Sequence, residues 1–394
     1  MHLSDLWFIL IATLWTGYFV LEGFDFGIGI LLPVLGRNDV ERRVLINTIG
    51  PVWDGNETWL VTAGGATFAS FPAWYASMFS AFYLPLLVIV AALIVRGLAF
   101  EYRGKGDTAR WRRRWDAALF LGSLLPAILW GVAFGNILRG IRLDAAHNYV
   151  GSFFDLLNPY ALLGGLTTLT LFVAHGAVFA ALKTTGGIRV RARRLAGRTG
   201  VAAIAVTAGF LAWTESSRSG GTAAAASIAL AAFAVAALAS GVVAVHAGRE
   251  GIAFADTAVA IAAVTAAMFT ALYPDVLPST INSAYSLTTS NASSTPQTLA
   301  VMTVVALIFL PFVLLYQGWT YWVFRKRIST ADIPPAESSG RNSRPAGERE
   351  RLPVRGSPAR ASAAWPPAER AAGDGGKGAA PGAVRRSRRR NQTT

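Results

Sequence analysis

Long, mostly apolar stretches constrain this chain more than any other feature. Residues 6–32, 51–70, 75–99, 117–138, 160–182, 223–245, 252–272 and 298–324 are mostly apolar. Each is close to the roughly 20 residues that a helix needs to cross a bilayer. In lipid every backbone N–H and C=O needs an internal partner, so stretches of this kind fold as helices. Residues 201–213 make a shorter ninth. The expected class is an all-α integral membrane protein of about nine transmembrane helices in bundles. Charged residues are only 15% of the 394, too few to give a soluble domain its polar surface. The first residues lack the basic region and small-residue cleavage site of a removable signal, so the first helix is expected to be retained.

Composition removes several function classes. Cysteine is absent, which excludes disulfides, thiolate metal sites and haem attachment through Cys. The histidines, His2, His147, His175 and His246, are too scattered for metal-ligand spacing. A net charge of +14 invites a nucleic-acid partner, but its distribution speaks against one. From Arg325 onward there are 16 Lys and Arg against 6 Asp and Glu, which is +10 of the total. That segment is rich in Pro, Gly, Ser, Ala and Arg and cannot bury enough apolar surface to fold. Residues 1–328 are therefore expected to form the membrane domain, and 329–394 a disordered basic cytoplasmic tail. Contact with anionic lipid is the functional option for the tail; a solvated extension is the plainer one.

The links between spans carry orientation. GRNDVERR follows the first span, FEYRGKGDTARWRRRWD the third and KTTGGIRVRARRLAGR the fifth. The links after the second, fourth, sixth and eighth are neutral or nearly so. Positive charge stays on the cytoplasmic side, so the N-terminus is expected outside and the C-terminus in the cytoplasm. The long polar segment YPDVLPSTINSAYSLTTSNASSTPQ cannot cross lipid without burying itself in protein.

Against this apolar background a few charges stand out. The stretch Gly50–Pro72, GPVWDGNETWLVTAGGATFASFP, carries Asp54 and Glu57 three residues apart, flanked by Trp53 and Trp59. The first span carries Glu22 and Asp25 at the same spacing, which puts each pair on one helix face. Carboxylates within a membrane are expensive and face a bundle interior, a water-filled cavity or a partner. The plainer reading is that Asp54 and Glu57 favour a helix N-terminus at the interface. The functional reading is a proton or ion path, or a seat for another subunit. Arg96 and Glu101, closing the third span, either line a charged cavity or reach for the headgroups; snorkelling is favoured for Arg96. His175 is the one histidine deep in a span, and a hydrogen-bonded packing role is expected for it.

The motifs of these segments resemble one family. GFDFGIGILLP, GRNDVERRVLINTIGPVWDGNETWL, RGLAFEYR, GVAFGN, LLNPYALLGGL and YPDVLPSTINSAYSLTTSNASS occur in the order found in subunit II of the cytochrome bd-type quinol oxidases, over about residues 3–328. The link ESSRSGG is short compared with some members, and the segment after residue 330 has no counterpart. The resemblance implies a complex in a bacterial cell membrane that oxidises membrane quinol and reduces dioxygen to water without pumping protons. Two haems b and one haem d would sit in subunit I. Subunit II would bind subunit I as a pseudo-symmetric heterodimer, hold no haem and no catalytic residue itself, and help supply protons. A small single-helix accessory subunit, lipid and quinone are further implied partners; ubiquinol and menaquinol stay open.

The family's conserved carboxylates fall at GFDFG and WDGNE. Asp25 lies seven residues before Leu32, roughly 10 Å of helix rise, at a depth expected to match that of Asp54. Asp25 and Asp54 are therefore expected to line the cytoplasmic mouth of a proton path, with Glu22 and Glu57 carrying it onward. Trp53, Gly55, Asn56, Trp59, Arg96 and Glu101 carry the motifs and are candidates for the subunit interface. The alternative is a proton- or ion-coupled secondary transporter, which would often show inverted repeats; no clear repeat is visible.

Overall fold

The computed structural model describes residues 2–217 and 223–333. The expected tail falls almost wholly on residues 334–394, outside the described residues. The five residues before them, 329–333, form a short 3-10 turn in which the Ser329 backbone N–H and hydroxyl both donate to Asp332 Oδ2 (2.8 and 2.7 Å).

Eleven α-helices make up almost all of the described chain. In order they are α1 (Leu3–Leu35), α2 (Asp39–Ile49), α3 (Trp53–Ser70), α4 (Pro72–Ala81), α5 (Tyr83–Tyr102), α6 (Ala109–Arg139), α7 (Pro159–Lys183), α8 (Gly186–Ser217), α9 (Ala224–His246), α10 (Glu250–Leu272) and α11 (Pro296–Val323). Eight described helices are long and apolar enough to cross a membrane: α1, α5, α6, α7, α8, α9, α10 and α11. The ninth expected span is α3, whose 18 residues include Asp54, Asn56, Glu57 and four threonine or serine side chains.

Four boundaries differ from the sequence reading, each for a local reason. The polar link after the first span is a helix, α2, started by Asn38, whose side chain accepts from Glu41 N at 2.9 Å. The third span is two helices, α4 and α5. Pro85 lies in the first turn of α5, where its missing N–H would be unpaired anyway, so the break comes just before it. The arginine-rich links are largely first turns of α6 and α8, since arginine is a good helix former and Thr108 caps α6 (Trp111 N to Thr108 Oγ1, 3.1 Å). The sixth span is accordingly not short: α8 has 32 residues.

α1 runs through the middle of the bundle and buries 18 of its residues. Gly27 and Gly176 make this possible. A Cβ at Gly27 would lie 2.1 Å from the Phe172 carbonyl oxygen and 2.7 Å from Gly176 Cα, so only paired glycines let α1 and α7 cross this closely. Above the crossing, Trp15 packs edge-on to Trp130 and Phe134, both at 4.9 Å. Beside it, Phe24 stacks on Phe179 at 4.1 Å.

The two ends of the bundle differ. One gathers the acidic and basic side chains of α2, α8 and the starts of α6 and α10. At the other, residues 140–158 and 273–295 cover the helix ends. There part of the polar segment packs against the helix ends while residues 280–284 stay exposed. Asp275–Leu277 pairs antiparallel with Leu287–Thr288, Ser294 N donates to the Ser70 carbonyl (2.8 Å), and Ser77 Oγ to that of His147 (2.7 Å).

A buried charged cluster between α1, α3, α5 and α11

α1 brings Glu22 and Asp25 to the bundle interior, and both are wholly buried. α5 inserts Arg96 beside them, also wholly buried, and its guanidinium pairs with Glu22. The expected snorkelling of Arg96 is thus corrected. Its head points inward, lying over the Phe26 ring at 4.9 Å and the Phe100 ring at 5.5 Å. A guanidinium with a carboxylate and two aromatic faces around it needs no headgroup.

α3 supplies the third wall. Asn56, wholly buried, donates from Nδ2 to Asp25 Oδ2 at 2.7 Å. Its Oδ1 accepts from Gln317 Nε2 (2.9 Å) and from the Tyr321 hydroxyl (2.7 Å), both on α11. Glu57 reaches Arg96 Nη1 at 3.9 Å while keeping 21% of its side chain exposed. It therefore joins the interior to the chain's surface. At the far edge, Trp130 Nε1 donates to the Tyr18 hydroxyl at 3.1 Å.

Asp54 does not enter this network. It lies exposed on the outward side of α3. Positions 54 and 56 are about 200° apart on a helix, so turning Asn56 inward turns Asp54 out. The remaining motif residues divide in the same way. Trp53 is half-buried and stacks on Phe100 at 4.7 Å, bracing the ring that covers Arg96. Gly55 is half-buried and faces Gln317, and Trp59 packs against Gly17 of α1. Glu101 is exposed. Asn56 and Arg96 lie wholly buried inside this chain.

Sequence reasoning passed over Gln317 and Tyr321. The signal was available, since they are polar residues four apart, hence on one face, of an otherwise very apolar helix. Tyr18 and Trp130 gave no such signal, because aromatic residues in a span are ordinarily packing.

The cluster is incompletely paired. Glu22 Oε2, Asp25 Oδ1, and Arg96 Nε and Nη2 are buried with no protein partner. One guanidinium faces three carboxyl groups. Such an arrangement has donors and acceptors to spare, which a purely structural ion pair would not leave.

His175 is wholly buried elsewhere, between α1, α7 and α10. Its Nε2 lies 3.2 Å from the Val20 carbonyl, which can only accept, so Nε2 carries the proton. Nδ1 faces the Thr257 hydroxyl at 2.7 Å, and the ring stacks on Phe254 at 4.7 Å. Among the described residues no group of three His, Asp or Glu could hold a metal ion.

Comparison with known proteins gives a consistent result. The profile of the family described as "Cytochrome bd terminal oxidase subunit II" matches residues 3–324. The chain is 44% identical over 333 residues to "Cytochrome bd ubiquinol oxidase subunit 2" of Bacillus subtilis (strain 168), covering 83% of this chain and 97% of that one. It is 34% identical over 365 residues to "Cytochrome bd-I ubiquinol oxidase subunit 2" of Escherichia coli (strain K12), covering 84% and 96%. Its fold is similar to a chain in the structure of bd oxidase from Geobacillus thermodenitrificans, with a TM-score of 0.67 at 17% identity, covering 83% of this chain and all of that one.

Proposed function

Because the chain belongs to the cytochrome bd terminal oxidase subunit II family, we propose that it supplies cytoplasmic protons to a quinol-oxidising, dioxygen-reducing complex and supports assembly of the haem-bearing subunit I. The family is one of bacterial membrane oxidoreductase complexes, and the transporter alternative is not favoured. The observation that carries the proposal is the Glu22–Arg96–Glu57 and Asp25–Asn56 cluster with its unpaired oxygens. Buried carboxyl groups with spare acceptor capacity can take up and hand on a proton, whereas fully paired ones cannot.

In this reading Asp54 collects protons at the surface of α3. Glu57, partly exposed and within reach of Arg96, connects that surface to the interior. Glu22 and Asp25 pass the proton on, and Arg96 keeps the negative charge of the relay tolerable. The orientation puts the basic end of the bundle in the cytoplasm, with the N-terminus outside and the C-terminus inside. Two haems b and one haem d, held by subunit I, would supply the oxygen chemistry; accessory single-helix subunits would join from outside. Both ring nitrogens of His175 are engaged, so His175 is proposed to pack the bundle rather than ligate a haem.

Subunit I is proposed to sit against α3, α5 and α11. Leu299 is the only buried residue of α11. Beyond Asp54, α3 turns Thr58, Thr62 and Gly65 outward. Polar and small side chains in that position suit a packed helix better than lipid.

The test uses the assembled complex. Asp25→Asn, Glu57→Gln and Asp54→Asn are expected to slow quinol-driven oxygen consumption, roughly a hundredfold for Asp25 as a proton-transfer group, with haem absorption retained. Assembled variants with normal turnover and proton uptake would rule the relay out. Loss of the haems would make the cluster an assembly element.

A further inference from the structure

A second polar feature lies away from the charged cluster, on the basic end of the bundle. The first turns of α8 and the end of α9 form a cleft of about 780 Å³, lined by Val190, Arg193, Arg194, Arg198, Val201 and His246 among others. Gly197 shapes its floor, since a Cβ there would come within 3.0 Å of His246 Cε1.

The arginines of this cleft are not equivalent. Arg193 is committed: its Nη2 donates to the Val245 carbonyl at 3.2 Å, and its Nε lies 3.7 Å from Glu250. Arg194 and Arg198 are exposed and, among the described residues, enter no hydrogen bond or ion pair. They are four residues apart, so both point the same way, about 6 Å apart along α8. Among the described residues no carboxylate pairs with them; Glu250 is taken up by Arg189 at 2.8 Å and by Arg193 and Arg327, both at 3.7 Å. His246 donates from Nδ1 to the Val242 carbonyl at 2.8 Å, which leaves Nε2 on the cleft side.

The position of the pair along the helix is informative. From Val201 to Trp213 the exposed residues of α8 are apolar or glycine, beginning with Val201, Ala202 and Ala205, and Val201 itself lines the cleft. Arg194 and Arg198 therefore stand where a charged surface gives way to one suited to acyl chains, which is the level of a phosphate in a leaflet.

We propose that this cleft binds an anionic phospholipid, its phosphate held by Arg194 and Arg198 and one acyl chain running from Val201 along the apolar face of α8. Guanidinium groups suit phosphate because their donors match its oxygens.

The experiment is native mass spectrometry of the purified, delipidated oxidase complex, titrated with dioleoylphosphatidylglycerol and, separately, with dioleoylphosphatidylcholine. The variant is Arg194→Gln/Arg198→Gln, at two exposed positions without partners among the described residues. Loss of two charges at the headgroup level predicts roughly thirtyfold weaker binding of phosphatidylglycerol. Phosphatidylcholine binding is expected to change little. Arg110→Gln, an exposed arginine at the same end but outside the cleft, is expected to bind as the parent does. Equal binding by parent and double variant would overturn the proposal. So would an equal loss in Arg110→Gln, which would mean diffuse attraction to a basic face. Displacement of the lipid by millimolar inorganic phosphate would mean that a free anion, not a lipid, is the occupant.

Discussion

The chain uses the same residue types in two ways, and the contrast separates stability from function. At the basic end Asp116 is held by Arg42 (2.7 Å) and Arg103 (2.5 Å), and Arg103 also reaches Asp39 at 2.9 Å. Glu41 pairs with Arg191 at 2.7 Å, and Arg191 also donates to the Leu35 carbonyl at 2.8 Å. Cations there are in excess and, apart from Arg191 Nε, buried polar side-chain atoms of this belt find partners. In the cluster between α1, α3 and α5 the balance is reversed. Three carboxyl groups share one arginine, and four buried polar atoms of Glu22, Asp25 and Arg96 stay unpaired. A saturated ion-pair belt clips helices together. An unsaturated one is a poor clip, and it has the spare valence that proton transfer requires.

The largest expected effect breaks the cluster rather than the belt. Arg96→Met leaves Glu22 buried without its counter-charge, a change that costs about 3–5 kcal/mol. The expected outcome is loss of haem-containing complex from the membrane, read by difference spectroscopy. Arg96→Met/Glu22→Gln removes both charges together and is expected to restore assembly while turnover stays low. If the double variant recovered full oxygen consumption, the cluster would be no more than another clip, and the contrast would collapse.

The belt should give the opposite pattern at a smaller size. Arg103→Ala leaves Asp116 with Arg42 as its one remaining arginine, so a destabilisation of about 1–2 kcal/mol is expected. A lowered melting temperature of the complex with unchanged turnover per haem would confirm the division. Reduced turnover in a complex that melts normally would place the belt on the proton route instead.

The two regions were not equally legible in the sequence. Hydrophobic length located the spans, because a bilayer imposes it on any chain. It could not locate α2, whose cap by Asn38 looks in sequence like an ordinary polar link, nor the first turns of α6 and α8, where arginines outside the lipid follow helix rather than span rules. Glu22, Asp25 and Glu57 could be picked out because charge in a span is rare. Their partners could not. Whether α3 turns Asp54 or Asn56 inward depends on its rotation, which the packing of Trp59 on Gly17 and of Trp53 on Phe100 fixes. The inward path of Arg96 depends likewise on the rings of Phe26 and Phe100, one of them on a different helix.

The smallest expected effect concerns Glu41, in the belt but outside the spans. Burial pushes its carboxyl up. The hydrogen bond from Arg191, the backbone N–H of Arg37 (2.8 Å) and the nearby guanidinium charges outweigh burial and hold it below the ordinary glutamate range. A carboxyl lowered by folding contributes stability that is fully present above its unfolded value, and that stability is lost as pH falls through its folded value. The complex should therefore lose a little thermal stability on acidification below the ordinary glutamate range. Glu41→Gln should be slightly less stable at neutral pH and should lose part of that acid dependence. The turnover of Glu41→Gln at neutral pH should match the parent, since a filled clip has no proton to pass. A variant that kept the parent's full acid dependence would show that Glu41 does not link α2 to α8 through its charge.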